Sequence, residues 1–237
     1  MSANDQRGPA RVLWMSSLES NPDHYDPKDW QLVNSLHSYE GSKYQIDLIG
    51  AELNRRALKT RSLSTRHFVV HPGVVYTAID VVLLGAFLHQ LKHLVFYVAR
   101  FVGSPHHTIT TWNGASAAVH VALASLAYIP VFFSSASADK PSMTAHEISS
   151  KSNSTTANGT ANGPVHPIPA RLHSITDRMG TSLVGAQPIK AWGEHEEESV
   201  KLVNRCEKLY QSFAAAEGRK VEGGPASNGD VADALLT

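Results

Sequence analysis

A tyrosine and a lysine four residues apart, Tyr39 and Lys43, are the side chains of this sequence best suited to proton transfer. Residues at this spacing share one face of a helix, so a helical segment would set a phenol beside an ammonium group. The ammonium favours the phenolate and draws the phenol pKa down from about 10. Such a phenol can protonate a carbonyl oxygen as hydride reaches the carbon. The pair therefore indicates carbonyl reduction, although an ordinary surface pair would show the same spacing.

Further polar residues follow the two segments that are typical of buried strands. Ser16 and Ser17 come after the apolar run 11–15, and a Pro-Gly turn at Pro72 and Gly73 comes after the run 66–70. Between them, apolar residues at three- and four-residue spacings predict a helix over 39–58. Strand, helix and strand in this order predict a βαβ unit with parallel strands. Open α/β sheets build their sites at the carboxyl ends of such strands, although plain turns and caps would also fit these residues.

Charge and cysteine content exclude several classes of function. Lys plus Arg and Asp plus Glu number 21 each, so the chain carries no overall field that would attract nucleic acid. The single cysteine, Cys206, rules out a disulfide within the chain and lacks the neighbours of a zinc site. The acidic run 194–198 is interpreted as the dipole-matched start of a helix, and no residue is assigned to a metal.

Composition divides the chain into five parts. We expect a disordered start, an α/β region that includes an apolar segment, a low-complexity flexible insertion, a helical extension and a disordered tail, over 1–10, 11–133, 134–166, 167–215 and 216–237. The apolar segment, 79–102, would place Lys92 near the hydrocarbon centre if it spanned a bilayer. A helix lying on the membrane surface is therefore favoured over a spanning one. The apolar stretch 115–133 is expected to be a core helix packed on the sheet.

Three short motifs give the chain a resemblance to the short-chain dehydrogenase/reductase superfamily. VLWMSS resembles its serine strand, YEGSK its Tyr-x-x-x-Lys motif, and HPGVVYT its Pro-Gly turn with threonine. The long gap from Ser17 to Tyr39, together with TWNGASAAVHVAL, WGEHEEE and RCEKLYQSF, is similar to the fungal 3-ketosteroid (3-ketosterol) reductases of ergosterol synthesis, which themselves resemble 17β-hydroxysteroid dehydrogenase type 7. The resemblance covers most of residues 10–215 apart from the insertion.

The resemblance implies roles for seven residues and a cofactor. Tyr39 would be the general acid, Lys43 would hold the nicotinamide ribose and lower the pKa of Tyr39, and Ser17 would orient the substrate oxygen. The remaining four residues would form the turn that holds the nicotinamide: Pro72, Gly73, Val75 and Thr77. NADPH would supply the hydride. The substrate would be a 3-keto sterol, reduced to the 3β-hydroxy sterol during removal of the C-4 methyl groups.

The fold implied by the resemblance is an α/β, Rossmann-type doubly wound parallel sheet, here truncated to its last strands. No Gly-x-x-x-Gly-x-Gly or Gly-x-Gly-x-x-Gly turn occurs, so the N-terminal cofactor-binding half is expected to be absent and this chain to be inactive alone. The endoplasmic reticulum membrane or a lipid droplet, and other enzymes of the sterol C-4 demethylation complex, would be its partners. Two alternatives stay open: a non-catalytic membrane-associated fragment, and a reductase of another steroid or retinoid-like ketone. NADPH and NADH are not distinguished.

Overall fold

The computed structural model describes residues 9–59, 65–75, 79–102, 108–129, 132–133 and 167–219. The strands are β1 (Ala10–Met15), β2 (Thr65–His71), β3 (Val74–Val75), β4 (Thr108–Ile109), β5 (Phe132–Phe133), β6 (Pro167–Ile168), β7 (Ala170–Thr176) and β8 (Ser182–Pro188). The helices are α1 (Ser38–Lys59), α2 (Ile79–Val102), α3 (Thr111–Gly114), α4 (Ser116–Leu123) and α5 (Trp192–Ala216). Single 3-10 turns occupy Pro22–His24, Pro27–Asp29 and Leu126–Tyr128.

The main sheet has four strands in the order β1-β2-β7-β8. β1 pairs with β2 and β2 with β7 in parallel, whereas β8 is antiparallel to β7. The predicted βαβ unit is confirmed as β1, α1 and β2, with each boundary within one residue of the expected one. The chain is therefore an α/β protein with a mostly parallel sheet, as expected.

Helices cover both faces of this sheet, and each face has its own hydrophobic core. Successive strand residues point to opposite faces, and accordingly Val69 belongs to one core and Val70 to the other. On the first face α1 and α5 pack together, with Tyr44, Leu48 and Leu202 fully buried between them and the sheet. On the second face α4 packs across the strands through Val121.

The close approach of α1 to the strands depends on Gly50. A Cβ there would lie 2.7 Å from Val69 Cγ2 and 3.1 Å from the Trp14 ring. Trp14 in turn donates from its indole nitrogen to His67 Nδ1 at 3.1 Å, which links β1 to β2 on the same face. The catalytic motif predicted in α1 is therefore carried by a helix that is fixed directly against the two strands whose ends form the predicted site.

The structure differs from the expected helices in two places. The helix expected within 115–133 ends at Leu123, where Arg11 donates to the carbonyl oxygens of Val121 and Ala124 and the chain turns extended at Ala124. The helical extension expected over 167–215 is helical only from Trp192, because β7 and β8 form a hairpin that completes the sheet. The sequence does not predict these strands, since the buried positions of the hairpin include polar residues such as Arg171 and Ser174.

The apolar helix is present as α2, with several exposed side chains toward its end: Leu88, Leu91, Leu94, Val95, Tyr97, Val98, Phe101 and Val102. Within the part of the chain that the structure describes, none of the helices is long and apolar enough to cross a membrane. The insertion over 134–166 lies outside the described residues, as do 1–8 of the start and 220–237 of the tail, the two ends expected to be disordered.

We expect Gly73→Ala to lower the free energy of unfolding by about 2 kcal/mol or more. Gly73 has a φ of +75°, which costs an L-residue roughly 1–2 kcal/mol. An added Cβ would also lie 2.4 Å from the carbonyl oxygen of Ser174 in β7. Gly218→Ala is the control, because Gly218 has a φ of +68° but nothing within 4 Å of an added Cβ. Urea unfolding of both variants tests this, and equal losses would contradict the contact argument.

Candidate active site

The two residues of the Tyr-x-x-x-Lys motif lie together in the first turns of α1. Lys43 Nζ is 5.5 Å from the centroid of the Tyr39 ring, and the tyrosine side chain is half exposed. Lys43 Nζ also donates to the backbone oxygen of Met15 at 3.2 Å, the last residue of β1. The ammonium group thus lies near the phenol ring and bonds to the carboxyl end of β1.

Ser17 lies in the loop that leaves β1, two residues beyond this contact. Its hydroxyl oxygen accepts a hydrogen bond from the backbone nitrogen of Glu19 at 3.2 Å. No hydrogen bond joins Ser17 to Tyr39 or Lys43 in the described part of the chain. Ser16 is buried instead, its nitrogen donating to Val70 O at 2.8 Å and its hydroxyl to Lys43 O at 3.4 Å. Ser16 therefore anchors the loop, and Ser17 is the serine of the two that remains partly accessible.

The Pro-Gly turn follows β2 directly and leads into a short parallel pairing. Gly73 N donates to His71 Nδ1 at 3.2 Å, which tightens the turn. Val75 lies in β3, opposite Ile109 of β4, and its side chain packs near Gly114. Pro72, Gly73 and Val75 thus stand at the carboxyl end of the strand next to β1. Thr77, the fourth residue predicted for this turn, lies outside the described residues.

Beneath the predicted site lies a buried ion pair that the sequence does not predict. Arg171 Nη1 is 3.0 Å from Asp47 Oδ2, and both side chains are almost fully buried. The same carboxylate oxygen accepts from Ser20 Oγ at 2.6 Å, and Arg171 Nη1 also donates to Ser17 O at 3.2 Å. Burial raises the pKa of the Asp47 carboxyl, and the charge of Arg171 opposes this rise. The pair holds both ends of the loop 17–20 against α1 and β7.

The guanidinium group also reaches the strands on its other side. When the Gln187 amide is oriented with its oxygen toward Arg171, that oxygen accepts from Nη2 at 2.6 Å and Nε at 3.1 Å. The same Gln187 atom lies 3.3 Å from His71 Nε2, and the His71 ring stacks on His173 with centroids 5.1 Å apart. A continuous polar network therefore runs from the serine loop to the residue preceding the Pro-Gly turn.

The stacked histidines predict a loss of stability in acid. Burial, aided by the nearby charge of Arg171, lowers the pKa of His71 to about 2 and that of His173 to about 4. The unfolded chain takes up these protons near pH 6.5, so stability is full above that pH and falls as the pH drops toward 4. We expect up to about 1 kcal/mol per pH unit from each histidine. Urea unfolding between pH 7.5 and 4.5 measures the slope.

The control for this pH dependence is the double variant His71→Asn, His173→Asn. Its stability at pH 7.5 is not the readout, because both side chains are packed in the network. Only the slope is compared, and it should be shallower than in the unaltered chain. His67, whose pKa burial also lowers, remains in both proteins and contributes equally. An unchanged slope would contradict the assignment of the acid effect to this pair.

Comparisons with known proteins agree with the resemblance drawn from the motifs. The chain is 36% identical over 117 residues to the 3-keto-steroid reductase of Kluyveromyces lactis. The matched segment covers 49% of this chain and 33% of that protein. The chain is 35% identical over 113 residues to the 3-keto-steroid reductase ERG27 of Candida albicans (48% and 32%) and 34% identical over 115 residues to that of Saccharomyces cerevisiae (48% and 32%).

Two other comparisons gave no match. No family model matches the chain, and no solved structure matches it. The chain spans about a third of the length of the curated relatives named above. Over about half of its own length, this chain is related in sequence to the fungal 3-keto-steroid reductases.

Proposed function

We propose that this chain carries the proton-transfer half of a 3-ketosterol reductase, acting in the C-4 demethylation stage of ergosterol synthesis. The observation that supports this most directly is the Tyr39–Lys43 pair, held at the carboxyl end of β1 by the bond from Lys43 Nζ to Met15 O. The names of the related fungal proteins support a 3-keto steroid as substrate. The product of reduction would be the 3β-hydroxy sterol.

In this proposal each polar group has one task. The Tyr39 hydroxyl protonates the 3-keto oxygen, and Lys43 stabilises the phenolate that is left behind. Ser17 donates a hydrogen bond to the same substrate oxygen and fixes its position. Arg171 acts as a positioning residue, because it holds the backbone oxygen of Ser17.

A nicotinamide cofactor, proposed to be NADPH, supplies the hydride when bound. The residues present fit its nicotinamide end. Lys43 uses one contact to Met15 O, and an ammonium has three donors, so two remain for ribose hydroxyls. The Pro72–Gly73 turn adjoins this end of the sheet, and Val75 would contact the carboxamide through its backbone. No glycine-rich turn for the pyrophosphate occurs in the sequence, so the chain is proposed to need a further cofactor-binding part.

The proposal includes a location on the cytosolic face of the endoplasmic reticulum or on a lipid droplet. The exposed apolar side chains of α2, such as Leu94, Val98 and Phe101, support a helix that rests in a membrane surface. Trp112, 85% exposed, is an aromatic residue suited to the same interface. Other enzymes of sterol C-4 demethylation are the proposed protein partners.

The test compares the 237-residue chain with the same chain fused behind the dinucleotide-binding half of a fungal 3-keto-steroid reductase. Binding of NADPH and NADH is followed by fluorescence titration, and turnover with a 3-ketosterol, a 17-ketosteroid and a retinoid-like ketone. We expect the fusion to bind NADPH and to prefer the 3-ketosterol. A folded fusion that binds NADPH but reduces none of the ketones would instead favour a non-catalytic, membrane-associated role.

A further inference from the structure

Two histidines and a glutamate meet where the loop after β1 contacts the start of α1. His24 ends the first 3-10 turn, His37 directly precedes α1, and Glu40 lies in the first helical turn. One ligand atom from each residue lies within 4.8 Å of the other two. His37 and Glu40 lie close together in sequence, but His24 is thirteen residues before His37, so only the fold shows this cluster.

The backbone fixes the approach of His24 to the helix. Gly41 packs on His24 so closely that a Cβ would lie 2.7 Å from the His24 carbonyl oxygen. Gly41 N also donates to His37 O at 3.0 Å, which sets the start of the helix. The three side chains are therefore brought together by a tight main-chain contact rather than by chance encounter of mobile side chains.

The spacing of the ligand atoms suits a small divalent cation. Zinc binds imidazole nitrogen and carboxylate oxygen at about 2.0–2.2 Å, so tetrahedral ligands lie roughly 3.3–3.5 Å apart. His37 Nδ1 and Glu40 Oε1 are already 3.3 Å apart. The His24 and His37 rings stack with centroids 4.0 Å apart. His37 is exposed and His24 is partly exposed. Binding of one ion by both rings would require them to rotate out of the stack.

The surroundings of the cluster are acidic. His24 and His37 line an open pocket with Asp23, Asp26 and Asp29, and Lys28 is the one lysine or arginine among the described residues that line it. The Asp29 carboxylate accepts from Val33 N and Asn34 N and so shapes the pocket wall. The carboxylates attract a cation that enters this pocket. Three protein ligands would leave at least one coordination position of the metal for water.

We propose that His24, His37 and Glu40 bind one zinc-like divalent transition-metal ion and that binding fastens the 22–37 loop to the start of α1. This proposal stands apart from the proposed reductase function, although Tyr39 lies between two of the ligands. The metal would tie the loop after Ser17 to the helix that carries Tyr39 and Lys43. Its role is to order this loop, and no chemical step is assigned to it.

The experiment is a titration of the 237-residue chain with Zn²⁺ by calorimetry, and with Co²⁺ by visible absorption. We expect one equivalent to bind, with the visible d–d bands of a nitrogen- and oxygen-ligated cobalt ion. His37→Asn and Glu40→Gln should each weaken metal binding by at least about tenfold. Removing a group that only supports a metal ligand already lowers metal affinity by about 10–100-fold. Zn²⁺ should also slow amide hydrogen exchange over 22–37.

The control is His89→Asn, His93→Asn, which removes a histidine pair elsewhere in the chain. This variant should still bind one equivalent of Zn²⁺, whereas binding to His37→Asn should be weakened. The proposal is wrong if the control variant loses Zn²⁺ binding and His37→Asn retains it. It is also wrong if Zn²⁺ leaves amide hydrogen exchange over 22–37 unchanged. The readouts require neither cofactor nor sterol, so failure of the reductase proposal would leave them intact.

Discussion

Replacing Arg171 by methionine should lower the free energy of unfolding by about 3–5 kcal/mol. The substitution leaves the Asp47 carboxylate buried without its cation, and breaking one side of a buried pair typically has this cost. It also removes the two Arg171 donors of the Gln187 amide oxygen and the Arg171 donor of Ser17 O. Small domains are stable by about 5–15 kcal/mol, so the loss is a large share of the total. Urea unfolding at pH 7.5 measures it.

An exposed ion pair supplies the control for this prediction. Lys201 Nζ lies 2.6 Å from Glu198 Oε1 on α5, and the lysine side chain is 56% exposed. Lys201→Met should cost no more than about 1 kcal/mol. A loss of that size in Arg171→Met as well would show that the buried pair does not stabilise the fold as argued.

Two further measurements separate the charge from the packing. Asp47→Leu combined with Arg171→Met should cost less than the sum of the single changes, because no lone charge is left behind. In Arg171→Met alone, the pKa of Asp47 rises further once the opposing cation is gone. A buried acid with a raised pKa lowers the free energy of unfolding at neutral pH, and this loss disappears as the acid is protonated. The difference in free energy of unfolding between Arg171→Met and the unaltered chain should therefore narrow as the pH falls.

The sequence predicted the βαβ unit well because its signals are local. The apolar run before Ser16, the three- and four-residue periodicity of α1 and the run before Pro72 each fit within one element. Ser17, Tyr39 and Lys43 were located by their positions relative to these elements. Their catalytic roles stay predictions, because the structure shows their placement and not their chemistry.

The β7–β8 hairpin and the buried network could not be predicted in the same way. Arg171 and His173 point to the same buried face as Val69. A half-buried strand is predicted from apolar residues at every second position, and here charged and polar residues occupy those positions. They are tolerated there because Asp47, 124 residues away, and His71 partner them. Asp47 itself gave one available signal, a carboxylate between the core positions Tyr44 and Leu48 of a helix. A buried acid at such a position needs a cation from elsewhere in the fold.

Tyr39→Phe should reduce kcat for 3-ketosterol reduction by about 10²–10⁴-fold in the fused protein, with little change in NADPH binding. The variant removes only the hydroxyl, the group proposed to protonate the substrate oxygen. The ring remains beside Lys43, whose bond to Met15 O does not involve the phenol. Single-turnover rates with a 3-ketosterol measure the loss directly.

The same variant distinguishes a chemical role from a structural one. The Tyr39 side chain is half exposed and its hydroxyl makes no hydrogen bond within the described residues, so urea unfolding should change by no more than about 0.5 kcal/mol. Tyr210→Phe, at a similarly exposed tyrosine of α5, should leave both rate and stability unchanged. A Tyr39→Phe protein that is fully folded, binds NADPH and retains its rate would remove Tyr39 from catalysis. Proton donation would then have to come from another group at this end of the sheet, such as Ser17 in the loop that follows β1.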